Sequence, residues 1–388
     1  MRKPIDQLTL RIGSVDIQGW TEVRVTRGVE RVPGDFDITM TERYPGDLAE
    51  ITVKPGEPCQ ILLGDDVVVT GYVDSYVPSI SARGHKIRVN GRGACCDLVD
   101  CSAEWPGGQI SGTNALDIAQ KLANPYGIKA SIAAGVSPGS VIPQFNLILG
   151  ETAWEVIERI CRYRALLAYE RTDGSLVLDQ VGTQAHSSGF ELGQNVQSAD
   201  VRYSMNQRYS DYVSFITSVE NLYDLGPGGM DANQLARIRD NTVTRHRQLD
   251  IIAEAAAGGS DLAAVRAQWE MGRRFGRSFV CTLTTDSWRD SQGQLWQPNW
   301  FADLRLGALK LPESRWVISE VSFLLDRSGT TAQLTLMPPA AYEPQPVLLQ
   351  PQWLSTIELA GAGFQFQQPS DGFRTVSQLT DGVLNQLP

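Results

Sequence analysis

Histidine is scarce in this sequence. The 388 residues hold three, His85, His186 and His246, far apart and without a telling neighbour. Histidine is the side chain that titrates nearest neutrality, so proton-transfer chemistry has few candidates. A surface or strand-end setting is the expectation for each. The motifs H-E-x-x-H and G-x-x-x-x-G-K-[ST] are missing. Their absence removes the helical zinc pair and the phosphate loop with its lysine. GGQISG (107–112) has phosphate-loop glycines but no lysine, and reads as a loop leading into a helix. GAGF (361–364) is too little for a dinucleotide site. The cysteines, Cys59, Cys95, Cys96, Cys101, Cys161 and Cys281, include no C-x2-C pair. They are expected as buried free thiols, with no metal site and no cofactor.

Long apolar runs are lacking too. No stretch approaches the ~20 apolar residues of a membrane span, so stable membrane binding is not expected. The opening MRKPIDQLTLRIG has no apolar core of signal-peptide length. The expectation is a chain kept in a cytosol-like compartment, or one that leaves by a route needing no signal. Positive charge is short: the net charge is −10 and the pI about 5.0. Such a surface repels phosphate backbones, which argues against tight nucleic-acid binding but not against a conduit that nucleic acid passes through.

What is present is an ordinary globular balance, 42% hydrophobic and 20% charged residues, enough for real cores. The length suggests two to four domains. The 36 glycines and 20 prolines imply many turns and favour β-rich architecture. In GWTEVRVTRGVERVPGDFDITM (19–40), Trp20, Val23, Val25 and Val29, then Phe36, Ile38 and Met40, are set among polar residues. That period predicts strand, turn, strand. Further runs at 8–20, 59–80 and 85–93 bring the set to five or six strands, a small barrel or sandwich.

The pattern changes near residue 100. Residues 113–127 predict a helix with Leu116, Ala119, Leu122 and Ala123 on one face, ended by Pro125 and Gly127. Residues 151–170 predict a stronger one, opened by a Thr152–Glu155 capping box and striped by Trp154, Ile157, Ile160 and Cys161. A hairpin across Asp173-Gly174 follows. From about 190 strands return, interrupted by a loop at 225–234, a short strand at 246–254 and a helix at 260–278. Ser260 is its expected cap, with Leu262, Val265 and Trp269 inward. The predicted division is 1–100 (β), 101–185 (α+β), 186–230 with 279–340 (β), 231–278 (helical insert) and 341–388, an extended tail.

Three groups invite a functional reading beside a plainer one. Asp286 and Asp290 flank Trp288 and could form a glycosidase-like carboxylate set, or simply end a strand and begin a turn. Arg266, Arg273, Arg274 and Arg277, joined by Arg237, Arg239, Arg245 and Arg247, could meet an acidic partner subunit, or be a solvated face. Trp288, Trp296 and Trp300 in WRDSQGQLWQPNW could anchor an interface, or pack across a hairpin.

The runs LTLRIG, IQGWTEVRVTRGVERVPGDFDITM, GYVDS, GRGACCDLVDCSAEWPGGQ, LANPYGI, ETAWEVIERICRYRALL, RHRQLDIIAE and SQGQLWQPNW stand in this order between residues 8 and 340. Together they resemble the baseplate hub protein of Mu-like contractile-tailed phages. The resemblance implies an α+β, mainly β fold with two tube-like antiparallel β-barrels and a smaller α+β domain, which the 231–278 insert rejoins. It implies a homotrimer forming a pseudo-sixfold ring, similar to the upper half of type VI secretion spikes. The implied place is the virion tail baseplate, after assembly in the host bacterial cytoplasm. Implied partners are the central spike, the tail tube or a tube-terminal protein and other baseplate proteins, with DNA only in passage. The implied function is structural, with no catalytic residue. The alternative is a glycan-binding or peptidoglycan-hydrolysing tail protein built on Asp286, Asp290 and the nearby Trp residues.

Overall fold

The computed structural model describes residues 6–41, 53–82, 84–139, 141–164, 166–182, 184–216, 234–253 and 259–342. The loop expected at 225–234, except Gln234, and the tail from 343 lie outside them, as do the side chains of Ser260, Leu262 and Val265.

The opening is all strand: β1 (Leu8–Ile12), β2 (Val15–Ile17), β3 (Glu22–Gly28), β4 (Asp35–Thr41), β5 (Pro58–Leu63), β6 (Asp66–Ser81) and β7 (Gly84–Gly93). Alternation decides which face is buried. Val23, Val25, Phe36 and Ile38 go inward, and the interleaved charges point away.

An α+β unit follows: α1 (Cys96–Asp100), β8 (Gln109–Thr113), α2 (Ala115–Ala123), β9 (Ala130–Ile132), β10 (Ile142–Asn146), α3 (Ala153–Tyr163), β11 (Leu167–Glu170) and β12 (Leu176–Asp179). β8 pairs with β10, and β12 lies between β11 and β9. The Asn114 side chain caps α2 by accepting from the Asp117 N–H at 3.0 Å. Leu116 is only partly buried, because the buried stripe runs through Ala115, Ile118, Ala119, Leu122 and Ala123. The capping box of α3 forms as the sequence predicts, with Glu155 N–H donating to Thr152 Oγ1 and Thr152 N–H to Glu155 Oε2. The stripe on α3 buries Ile157, Ile160 and Cys161, with Trp154 packed at its edge.

The rest is β13 (Gln184–Ala185), β14 (Phe190–Glu191), β15 (Val196–Tyr203), β16 (Asp211–Ile216), β17 (Gln234–Arg239), β18 (Gln248–Ala253), α4 (Gly259–Arg277), β19 (Phe279–Thr285), β20 (Trp300–Arg305), β21 (Ser314–Asp326) and β22 (Gly329–Met337). In the segment expected as a helical insert, β18 is the short strand expected at 246–254, and β17 is a strand that the sequence did not announce. They flank β16 in a three-stranded sheet, and α4 covers it through Tyr212, Ile251 and Ala267.

The two β parts do not stand apart. β3 pairs antiparallel with β21, Val23 opposite Leu325 through Gly28 opposite Glu320. One 14-stranded sheet results, in the order β15-β19-β22-β21-β3-β4-β7-β6-β5-β1-β2, with β20 branching from β21 to take β13 and β14. Its core is also one: Leu10, Phe36 and Ile61 share a hydrophobic cluster with Trp288, Phe323 and Leu334. Where two tube-like barrels were expected, the described strands leave β15 and β2 as free ends, and no pairing closes the sheet. An isolated bridge, Leu192 to Val196, is the nearest approach to closure between β14 and β15.

Candidate assembly site

Glu170, the last residue of β11, sits where three parts of the chain meet. Its Oε2 accepts from the Gly34 N–H and its Oε1 from the Cys95 N–H, both at 2.8 Å. Arg27 lies beside it and reaches Gln297 Oε1 at 3.0 Å. Burial raises the Glu170 pKa against the pull of those N–H groups and Arg27. Burial likewise pushes the Arg27 guanidinium down to about 10. The sequence reading passed over both residues. Arg27 shares the parity of Val23 and Val25, and that was the available signal that it points inward.

The tripeptide Gln297-Pro298-Asn299 is a second joint. Asn299 has a left-handed backbone, φ 65°. Its side-chain amide donates to Gln180 O at 2.9 Å, and its carbonyl accepts from Gly182 N–H at 2.9 Å. The same amide lies 3.3 Å from Asp179 Oδ2, which also accepts from the Tyr169 hydroxyl at 2.6 Å. The Gln297 N–H donates to His186 Nε2 at 3.1 Å, and His186 Nδ1 is 3.1 Å from Asp290 Oδ2. An Nε2 that accepts places the proton on Nδ1, so this imidazole is neutral and both its nitrogens are occupied.

Burial lowers the His186 pKa, and the Asp290 carboxylate only partly opposes it. The folded pKa therefore lies below the ordinary ~6.5. Stability from this group is complete above that value and is lost as pH falls beneath it, by at most ~1.4 kcal/mol per pH unit. The melting temperature of the protein is expected to drop below pH ~6.5, and less so in His186→Gln. Equal slopes for the two proteins would contradict the assignment.

The carboxylates of the glycosidase-like reading are brought to one cleft of about 640 Å³, but not as a catalytic pair. Asp290 is committed to the turn. Besides His186 it accepts from the N–H groups of Gln292 and Gln294, each at 3.0 Å. Burial would raise its pKa, but the bonds from His186 and Gln294 outweigh that and hold it low. A low, fully bonded carboxylate cannot serve as a proton donor at neutral pH. Asp286 is exposed at the rim.

Trp288 and Trp296 do not fit the interface role offered for them. Trp288 and Trp296 are 0% and 1% exposed, so neither reaches a partner surface. The Trp288 indole N–H lies 3.0 Å from Leu324 O and 2.9 Å from Thr331 O. Trp296 donates to Ser287 O and packs 4.5 Å from the Phe190 ring. Trp300 is half-buried, 4.9 Å from the His186 ring. The helix arginines are partnered within the chain. Arg266 and Arg274 both hold Glu270, at 2.9 and 2.6 Å, while Arg273 and Arg277 reach Glu30.

Each joint bonds separate strands, units or turns to one another, and the bonding groups are used up in doing so. The arrangement can carry force, while the His186–Asp290 pair is closed to chemistry. Among the described residues no group of three His, Cys, Asp or Glu could hold a metal, and no helix is long and apolar enough to cross a membrane.

Solved structures with this fold include phage tail proteins. The 43 kDa tail protein of prophage MuSo2 from Shewanella oneidensis aligns with a TM-score of 0.76 at 31% identity, over 87% of this chain and 99% of that one. An E. coli component of the type VI secretion system shares the fold at a TM-score of 0.54 and 10% identity, over 88% of this chain and 80% of that one. Three family models match in turn. They are the Mu phage baseplate assembly protein GpP-like N-terminal domain at 7–93, the baseplate hub protein gp44-like second domain at 95–180, and the GpP fourth domain at 259–345. Fold and joints thus define a structural protein of phage tails. The baseplate hub protein gp44 of Escherichia phage Mu is 30% identical over 337 residues, 85% of this chain and 87% of the relative. The chain belongs to the family of Mu-like baseplate hub proteins, structural components of the tail baseplate.

Proposed function

We propose that the chain is a homotrimeric adaptor between a hexameric tail tube and a trimeric central spike. In this reading the β parts 1–100 and 186–230 with 279–340 are two tube-like modules. The α+β domain 101–185 and the insert 231–278 stand beside them, and 341–388 is a C-terminal extension. Three chains then offer six modules, which meets a sixfold tube on one side and a threefold spike on the other. DNA passes through the lumen, and its walls share the chain's acidity, so the phosphates slide without adhering. The function needs no catalytic residue, metal or cofactor, and its place is the virion tail after assembly in the host cytoplasm.

The observation that carries this reading is the β3–β21 pairing, which welds the two β parts into one sheet over one core. A symmetry adaptor needs that rigidity, since two modules on a loose tether would not hold sixfold positions. The E. coli type VI component is itself described as structurally similar to the T4 tail proteins gp27 and gp5, which supports the tube-and-spike setting.

The test is the mass of the full chain in solution with its spike protein, together with particle images. A threefold ring with a central hole is expected. A chain that stays monomeric at micromolar concentration beside the spike overturns the reading.

A further inference from the structure

Two features of the described surface carry charge of opposite sign, on different parts of the chain. The first is the run RIRDNTVTRHR, 237–247, at one end of the three-stranded sheet. In it Arg237 pairs with Asp211 at 2.8 Å, and Arg247 donates to the carbonyls of Met205 and Asn206. Asp240, the one acid inside the run, is taken by Arg208 at 2.5 Å. Arg239 and Arg245 are exposed and make no hydrogen bond or ion pair among the described residues, although Arg239 stands opposite Asp211 across the β16–β17 pair and helps to hold that carboxyl low. On a chain of net charge −10 this is a local excess of positive charge.

The second is the cleft of about 640 Å³ between β14, the end of β19 and β20. That volume lies in the ~300–1,000 Å³ range of clefts that take a ligand or an inserted side chain. Its charged lining is almost entirely spent within the chain. Glu191 pairs with Arg305 at 3.2 Å, Asp303 with Arg315 at 2.6 Å, Arg289 with Asp66 at 2.7 Å and Asp290 with His186. The Asp286 carboxylate has no such partner among the described residues, and its N–H is spent on Asn195 O. Serine hydroxyls and the amides of Gln194 and Asn195 fill the rest of the wall. They can accept the remaining donors of a guanidinium. The one aromatic in the lining, Phe190, is fully buried, so the cleft has no stacking platform for a sugar ring.

We infer that the basic run of one copy, through Arg239 and Arg245, docks into the Asp286 cleft of a second copy of this chain. Charge complementarity chooses the occupant. Copies of net charge −10 repel one another overall, so an assembly needs local pairs of opposite sign to fix its register. A contact between two different patches of one chain is heterologous, and such contacts make a ring where the rotation between neighbours closes. The inference rests on the homotrimer proposed above and names the side chains that would join its neighbours.

The experiment uses the full chain, with the spike protein where trimerisation needs it. Trimer dissociation constants are measured for four proteins: the natural chain, Arg239→Glu with Arg245→Glu, Asp286→Arg, and all three changes together. Both patches are exposed, so far-ultraviolet spectra should match throughout and serve as the folding control, while the melting temperature of the arginine variant shows what the new acid opposite Asp211 costs the fold itself. Each partial variant is expected to dissociate about ten-fold more readily or worse, and the combined variant to regain most of the loss. Unchanged constants in either partial variant overturn the inference and leave the trimer intact. So does a combined variant as weak as its parts, or loss in the arginine variant with Asp286→Arg silent, which would assign the basic run to a different partner. A natural chain that never trimerises removes the proposed function and this contact with it.

Discussion

Glu170→Ala is expected to cost the folded chain about 3–5 kcal/mol. The carboxylate is the acceptor for two backbone N–H groups, those of Gly34 and Cys95, and the charge facing Arg27. Alanine removes all three partners at a site closed to bulk water. Each buried N–H left without an acceptor costs ~1–3 kcal/mol, and the stranded guanidinium adds to that. The same joint can be attacked from the other side. A Cβ on Gly93 would run into the Glu170 carboxyl group, so Gly93→Ala should evict it and reproduce most of the loss. A chain of several units need not unfold in one step, so the quantity to follow is the midpoint of the first transition in urea. Proteolysis should also speed up near residues 93–95, where the first sheet passes into the α+β unit. A loss below ~1 kcal/mol would show that the three parts are held by packing alone.

Trp288→Ala should be as damaging, at about 3–5 kcal/mol, and the damage should appear in the isolated chain. The indole is fully buried, edge-on to Phe323 at 6.3 Å, inside the cluster shared by both β parts. Its N–H serves the carbonyls of Leu324 and Thr331, on neighbouring strands β21 and β22. Truncation opens a cavity there and takes the indole donor from both carbonyls. An interface tryptophan behaves in the opposite way, leaving the chain stable and weakening only assembly. Denaturation of the isolated variant separates the two roles, and an unchanged midpoint would return Trp288 to the interface. Trp300→Ala, at a half-buried position, should cost clearly less.

These residues also mark where sequence reading stops. The Trp288–Trp300 segment shows aromatics and turn residues, and both an interface and a hairpin core account for that composition. The structure buries Trp288 against β21 and β22, and Trp296 against Phe190 and His186. The four helix arginines looked like a partner-facing patch, but Glu30 and Glu270 take them up. Glu30 lies in the β3–β4 turn, far from α4 along the chain, and no spacing rule links the two. His186, given a plain strand-end or surface setting from sequence, proves to be a bonded link between the Asp290 turn and Gln297.

Local order was written in the sequence: the alternation of β3 and β4, the capping box of α3, the hairpin across Asp173-Gly174, and the collinear runs that carry the family. Each depends on residues within a few positions of one another, where backbone period and capping geometry set the outcome. Tertiary structure alone decided that β3 would lie against β21, that Glu170 would serve Gly34 and Cys95, and that one sheet would span both β parts. A strand's period tells which of its faces is apolar, but not which distant strand will cover that face or share its edge. That choice belongs to the packing of the whole chain.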